Sequence, residues 1–160
     1  MERYHQILQS EIYRSKLDRL VELEKERIFC KHTLEHFCDV ARIMYILSLE
    51  EGCDLDQDLI YATALFHDIG RIEEYEQQIP HHKASADVAR ELLPSFGYTK
   101  EEVDCIVDVI GKHRKDCADE DNPLADYLYR ADKLSRNCFA CKAWDQCKWS
   151  NDKKNHTLII

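Results

Sequence analysis

His67 and Asp68 stand side by side at the end of an apolar helical run, ATALFHDIGR (residues 62–71). An imidazole and a carboxylate in the last turn of a buried helix are costly to desolvate unless they are paired. A divalent cation satisfies both at once, although a bare His-Asp pair can also satisfy itself. A second concentration of reactive groups is Cys138, Cys141 and Cys147, which form C-x2-C-x5-C in CFACKAWDQCKW. The first spacing is that of a knuckle in which one short turn sets two thiolates on the same ion, and a tetrahedral site then needs a further ligand. The alternative for these cysteines is a set of reduced thiols packed against Trp144 and Trp149. Cys38, Cys53 and Cys105 have no partner spacing and read as small hydrophobes of helices.

Helices must position these groups. The chain of 160 residues is 33% charged and holds four Gly and three Pro, the balance of a helical protein long enough to bury a real core. One amphipathic helix is expected over 2–28, where Ile7, Leu8, Ile12, Leu17, Leu20, Val21 and Ile28 keep near-helical spacing. A second spans HTLEHFCDVARIMYILSLEEG, with His32 and His36 on one face and Gly52 as its stop. The third opens with Asp54 and Gln57 at capping-box spacing and runs to His67 and Asp68, after which Gly70 turns the chain away and keeps a pocket open.

The stretch from Arg71 to Pro80 reads as an acidic, polar loop. A fourth helix, HKASADVARELLPSFG, breaks near Pro94 and Gly97; Thr99 and Glu102 box the start of a fifth, which reaches about Arg114. Asn122 and Pro123 are an N-cap and N1 pair for a sixth helix, LADYLYRADKLS, which carries Asp132. The expected fold is all-α, a compact bundle of about six helices forming one domain over 1–160, with 137–160 a cysteine-containing extension packed on it.

The formal net charge of -9 argues against a nucleic-acid backbone or an anionic membrane as a general partner. No apolar run approaches the length of a membrane span, and the charged N-terminus lacks the apolar region of a signal peptide. Eight Cys without such a peptide are expected as reduced thiols, with metal binding favoured over disulfides, so the chain reads as cytoplasmic. Its oligomeric state is not written in any local pattern.

His36 in HFCDVARI, the His67-Asp68 pair and Asp132 in YRADKL follow one another on successive helices. This order resembles that of the HD superfamily of metal-dependent phosphohydrolases, over roughly residues 28–136. The resemblance implies an all-α fold in which His36, His67, Asp68 and Asp132 converge on one divalent metal. Two neutral imidazoles and two carboxylate oxygens suit Mn, Fe, Co, Ni or Zn better than Mg or Ca. His81 in HHKASA and His113 in IGKHR resemble the extra ligands of two-metal members, with Asp68 bridging the ions. Otherwise His81 caps a helix and His113 lies in solvent.

Such a centre activates water near neutral pH for attack on a phosphate ester or anhydride. The resemblance places His67 and Asp68 at the reacting centre, and His32, four residues before His36, is a candidate general acid at the lip of the site. Arg71, Lys83, Lys112, Arg114 and Lys133 are the cations near enough in sequence to hold the phosphate, each with an ordinary surface charge as its alternative. The Gly-Tyr-Pro string of the family's cyclic-dinucleotide hydrolases has no counterpart in RIEEYEQQIP. A nucleotide, a dinucleoside polyphosphate or a small phosphate ester is then the expected substrate. The alternative function is a non-catalytic module that senses a nucleotide or binds a partner.

If His36 and Asp132 share a metal on antiparallel helices, Cys30 and Cys138 lie six residues before one and six after the other. Both are then displaced about 9 Å in the same direction. Cys30 is accordingly the expected fourth sulfur, with Cys117 or His32 as substitutes. The ion expected there is a structural Zn, with a [4Fe-4S] cluster as the redox alternative.

Overall fold

The computed structural model describes residues 2–112 and 122–160; His113, Arg114 and Cys117 lie outside them. Among the described residues there are eight α-helices and no strand, so the all-α class holds while the helix number exceeds the expected six. Two differences account for the excess.

The first is the N-terminal segment, which forms α1 (Arg3–Gln9) and α2 (Glu11–Leu23) where one helix over 2–28 is expected. Ser10 separates them: its backbone is extended and its hydroxyl accepts the Tyr13 N–H at 3.1 Å, so it caps α2 and ends α1. The apolar spacing continues across the break because Ile7, Tyr13, Leu17 and Leu20 all enter the same core. Periodicity reports the buried face, and a continuous hydrogen-bond ladder is a separate matter.

After α3 (Leu34–Glu50), capped by the Thr33 hydroxyl, the chain turns at Gly52 with φ 66°. Helix α4 (Gln57–Phe66) follows, and its cap is Asp56, whose carboxylate accepts the Leu59 N–H at 3.1 Å, in place of the expected Asp54. The second difference is α5 (Arg71–Gln77), which occupies the stretch read as a loop. Its single buried apolar residue, Ile72, gives too little periodicity to detect, while Glu73 and Glu74 in its first turn favour the helix dipole. Helix α6 (His81–Leu92) passes into a 3-10 turn at Leu93–Phe96.

The capping box of α7 (Lys100–Lys112) forms as expected, with the Thr99 N–H donating to Glu102 at 2.7 Å and the Glu102 N–H donating back to Thr99 Oγ1 at 3.3 Å. Asn122 caps α8 (Pro123–Leu134) through the Leu124 N–H. Two 3-10 turns, Cys138–Ala140 and Trp144–Gln146, lead into the tail, where the Asn155 side-chain amide donates to the Lys133 and Arg136 carbonyls. Among the described residues no helix is long and apolar enough to cross a membrane.

Helix α4 belongs to both halves of the core. Leu65 and Phe66 pack with Tyr13, Leu20 and Ile106, whereas Ile60 and Ala64 pack with Val40, Met44 and Leu128. Each such large apolar side chain contributes about 1.5–3 kcal/mol when fully buried. The Tyr13 hydroxyl adds a bond to the Leu65 carbonyl at 2.6 Å, pinning the end of α4 immediately before His67.

Gly70 closes the turn between α4 and α5 as expected, but with an ordinary φ of -73°, so the turn itself does not require a glycine. Its task is close approach. A Cβ there would stand 2.2 Å from Ser85 N and 2.6 Å from the His81 carbonyl, and its N–H donates to Ser85 Oγ at 2.8 Å. The bare backbone lets the corner after Asp68 seat directly on α6.

Candidate metal centre

His36 lies in the first turn of α3, His67 at the C-cap of α4 with Asp68 next to it, and Asp132 in the last turn of α8. Each offers a ligand atom, and these atoms all lie within 4.8 Å of one another. His36 Nε2 is 3.4 Å from Asp132 Oδ1, and His67 Nε2 is 3.4 Å from Asp68 Oδ2 and 3.7 Å from Asp132 Oδ1. Two further imidazoles face the same carboxylate, with His32 Nε2 at 3.2 Å from Asp68 Oδ2 and His81 Nε2 at 3.4 Å from Asp68 Oδ1.

All four imidazoles are tethered through Nδ1, which leaves Nε2 directed at the carboxylates. His67 Nδ1–H donates to the Ala64 carbonyl at 2.6 Å, a bond within the last turn of its own helix. His36 Nδ1–H donates to Ser135 Oγ at 3.3 Å, and that hydroxyl donates to the Asp132 carbonyl. His32 Nδ1–H donates to Glu24 at 2.7 Å and His81 Nδ1–H to Glu74 at 3.1 Å. Fixing one ring nitrogen in this way sets the tautomer and aims the other lone pair, as second-layer partners of metal-binding histidines do.

The electrostatics fit a cation. Burial would push the Asp68 carboxyl up, but His67, His32 and Arg71 outweigh it and hold it well below the ordinary range, so a charge that is 1% exposed stays ionised. Asp132 is held down likewise by His36 and His67 against its own burial. Burial pushes His36 down to about 4, leaving a neutral ring with a free pair for a ligand bond. Asp68 Oδ1 is buried without a hydrogen bond, and Arg136 donates to His36 Nε2 at 3.1 Å, setting one cation where another would bind. Two imidazole nitrogens and two carboxylate oxygens are a donor set for a divalent transition metal.

Asp68 and Asp132, with His32 and His81, line a cleft of about 510 Å³ whose wall includes Arg71, Arg136 and Lys148. Arg71 reaches Asp68 through Nε at 3.5 Å and Glu74 through an N–H bond at 3.2 Å. Lys83 and Lys112 are placed elsewhere: they border a separate groove between α6 and α7, with Lys112 on Asp108 at 2.8 Å. Lys133 stands over the Tyr129 ring at 3.3 Å from its centroid, away from the cleft lining. Helical geometry separates it from its neighbour Asp132, since adjacent residues point about 100° apart.

His32 differs from its expectation. It precedes the Thr33 cap and is not on α3, and it is 2% exposed, far from a place at the lip. Both its backbone N–H and its Nδ1–H donate to Glu24. Burial would raise the Glu24 carboxyl, but the His32 bonds hold it down at about 2, with a further bond from the Tyr75 hydroxyl.

Glu24, Glu74, Ser135 and Arg136 were not singled out by the sequence. Glu24 sits among other charges in VELEKER with nothing local to mark it. Arg136, four residues after Asp132, carried the one usable signal, an i,i+4 position on the face of a ligand candidate.

Comparison with known proteins agrees with the fold. The HD domain family model matches residues 33–137. An uncharacterized protein of Clostridium beijerinckii is 42% identical over 158 residues, covering 99% of both chains. Ribonuclease Y of Oleidesulfovibrio alaskensis is 28% identical over 116 residues, 72% of this chain and only 20% of that protein. Among solved structures, a predicted HD superfamily hydrolase from an uncultured Thermotogales bacterium superposes with a TM-score of 0.62 at 23% identity, over 88% of this chain and 80% of that one. With the family pattern spanning most of its length and a His/Asp cluster where α3, α4 and α8 meet, the chain belongs to the HD domain family.

Proposed function

We propose that this protein is a phosphohydrolase acting on a small phosphorylated substrate, a nucleotide, dinucleoside polyphosphate or phosphate ester. The observation that carries it is the convergence of His36, His67, Asp68 and Asp132, whose two carboxylates line a cleft walled by Arg71 and Arg136. In this reading those four side chains hold Mn, Fe, Co, Ni or Zn. When bound, the metal supplies Lewis acidity and a nucleophilic water at neutral pH.

The chain's own groups do the rest. His67 and His36, locked by Ala64 and Ser135, keep the ligand positions fixed. Asp68 Oδ1, buried without a hydrogen bond, is in this reading the oxygen that accepts a proton. In this reading His81, facing Asp68, binds a second ion or steadies the phosphate. In this reading His32, held by Glu24 and lining the cleft, returns a proton to the leaving oxygen. Arg71 and Arg136 form charge-assisted bonds to the phosphate, with Lys148 at the rim. The full 160 residues act as one unit in this reading, in the cytoplasm, where the free thiols are at home.

The test is metal analysis of protein purified without chelator, followed by phosphate release from a panel of nucleotides, dinucleoside polyphosphates and phosphomonoesters with each candidate metal. A short RNA belongs in the panel because one relative is named as a ribonuclease. Turnover that disappears in a folded Asp68→Ala variant is the expected result. Tight nucleotide binding with no product from any metal form would instead support the sensing module.

A further inference from the structure

We propose that Cys30, Cys138, Cys141 and Cys147 hold a [4Fe-4S] cluster that staples the C-terminal segment to the α2–α3 connection and forms a wall of the cleft. The four cysteines come from two distant parts of the chain, yet all line one cavity of about 330 Å³, and none is in a disulfide. The backbone aims them. Cys138 opens the first 3-10 turn, Cys141 closes it with an N–H bond to the Cys138 carbonyl, and Cys147 closes the second turn on Trp144. Helical periodicity stops after α8 because the chain here makes tight turns that direct sulfur inward.

The surroundings call for an anion. Lys154 borders this cavity and is only 8% exposed. Its ammonium donates to the Trp144 carbonyl at 2.8 Å and lies 4.7 Å from the Trp144 ring centroid. Among the described residues no carboxylate pairs with it within 4.0 Å. A buried ammonium without a counter-charge is costly, and a thiolate-ligated metal centre carries the negative charge that offsets it. Arg136 borders the same cavity.

Size selects the cluster over a single zinc. Zinc bound at about 2.3 Å holds four sulfurs roughly 3.8 Å apart and leaves no free space between them. The His/Asp ligand atoms gather within 4.8 Å of one another, whereas the thiols are not among the atoms so gathered and stand round an open cavity. An iron-sulfur core with four thiolate ligands suits sulfurs that stand round an open space. Cys30, Cys147, Trp149 and Arg136 line both this cavity and the cleft, so the cluster would be the partition between them.

The experiment uses the full chain purified anaerobically, or reconstituted with ferric iron, excess thiol reductant and sulfide. About four acid-labile sulfides and four iron atoms per chain beyond those of the His/Asp centre are expected, with the Mössbauer signature of a [4Fe-4S] cluster. Cys138→Ser combined with Cys141→Ser should abolish labile sulfide, while Cys53→Ser and Asp68→Ala should retain it. Retention in Asp68→Ala separates this proposal from the hydrolase reading. One zinc per chain with no labile sulfide would overturn it, as would native thiols that bind no metal and alkylate freely. If the double variant is insoluble, the sulfide and iron content of the unaltered chain decides the matter.

Discussion

His32 Nε2 stands 3.2 Å from Asp68 Oδ2 while its Nδ1 stands 2.7 Å from the Glu24 carboxylate. A charged residue at the end of α2 thereby steers a carboxylate at the end of α4 through one imidazole. Glu24→Gln should keep the fold and most of the metal yet lower turnover about 10–100-fold, the usual effect of losing a second-layer partner. Steady-state phosphate release beside metal content measures it; unchanged turnover would remove His32 from the mechanism.

Metal binding should stabilise the native chain, because its ligands lie on α3, α4 and α8 and come together only on folding. At a free metal concentration 100 times Kd the gain is about 2.7 kcal/mol, which for a domain of this size raises Tm by about 5–10 °C. Thermal melts with and without chelator report it, and an unchanged Tm for His36→Ala in metal is the expected control.

Burial alone would push His67 down, but Asp68 and then Asp132 hold it up at about 10 in the metal-free protein. Its folded value lies above the ordinary 6.5, so its stabilising contribution is complete below that pH and is lost as pH rises through about 10. Metal must displace this proton, whereas His36, near 4, has none to lose at pH 7. Metal affinity should therefore rise about tenfold per pH unit across neutrality, with about one proton released. Calorimetry in buffers of different ionisation enthalpy counts that proton.

Gly70→Ala and Gly111→Ala should act in opposite directions. At Gly70 the new methyl meets Ser85 N at 2.2 Å, backbone against backbone, and should cost about 1–3 kcal/mol or more. At Gly111, inside α7, the nearest atom is Ala86 Cβ at 4.0 Å, so the substitution should add about 0.5–1 kcal/mol through helix propensity and a less flexible unfolded chain. Urea unfolding measures both, and a neutral Gly70→Ala would show that the α4–α5 corner can yield where it meets α6.

By itself the sequence determined what depends on near neighbours. The capping box at Thr99 and Glu102, the Asn122 and Pro123 start of α8, the apolar face of α3 and the rigid mount ending on His67 are all written in spacings of three or four residues. Only the His67-Asp68 pair is conspicuous by its apolar helical context; His36 and Asp132 joined it through the resemblance of their order along the chain to that of the HD superfamily.

Tertiary structure alone decided the rest. Ser10 and Asp56 became caps because the backbone turns there, and α5 formed because its corner packs on α6. Glu24, Glu74 and Arg136 became parts of the site through contacts across the fold, and Lys83, Lys112 and Lys133 fell outside the cleft because helix rotation places them elsewhere. A charged side chain looks the same in sequence whether it meets water or a buried imidazole, and only the packing of distant elements determines which it meets.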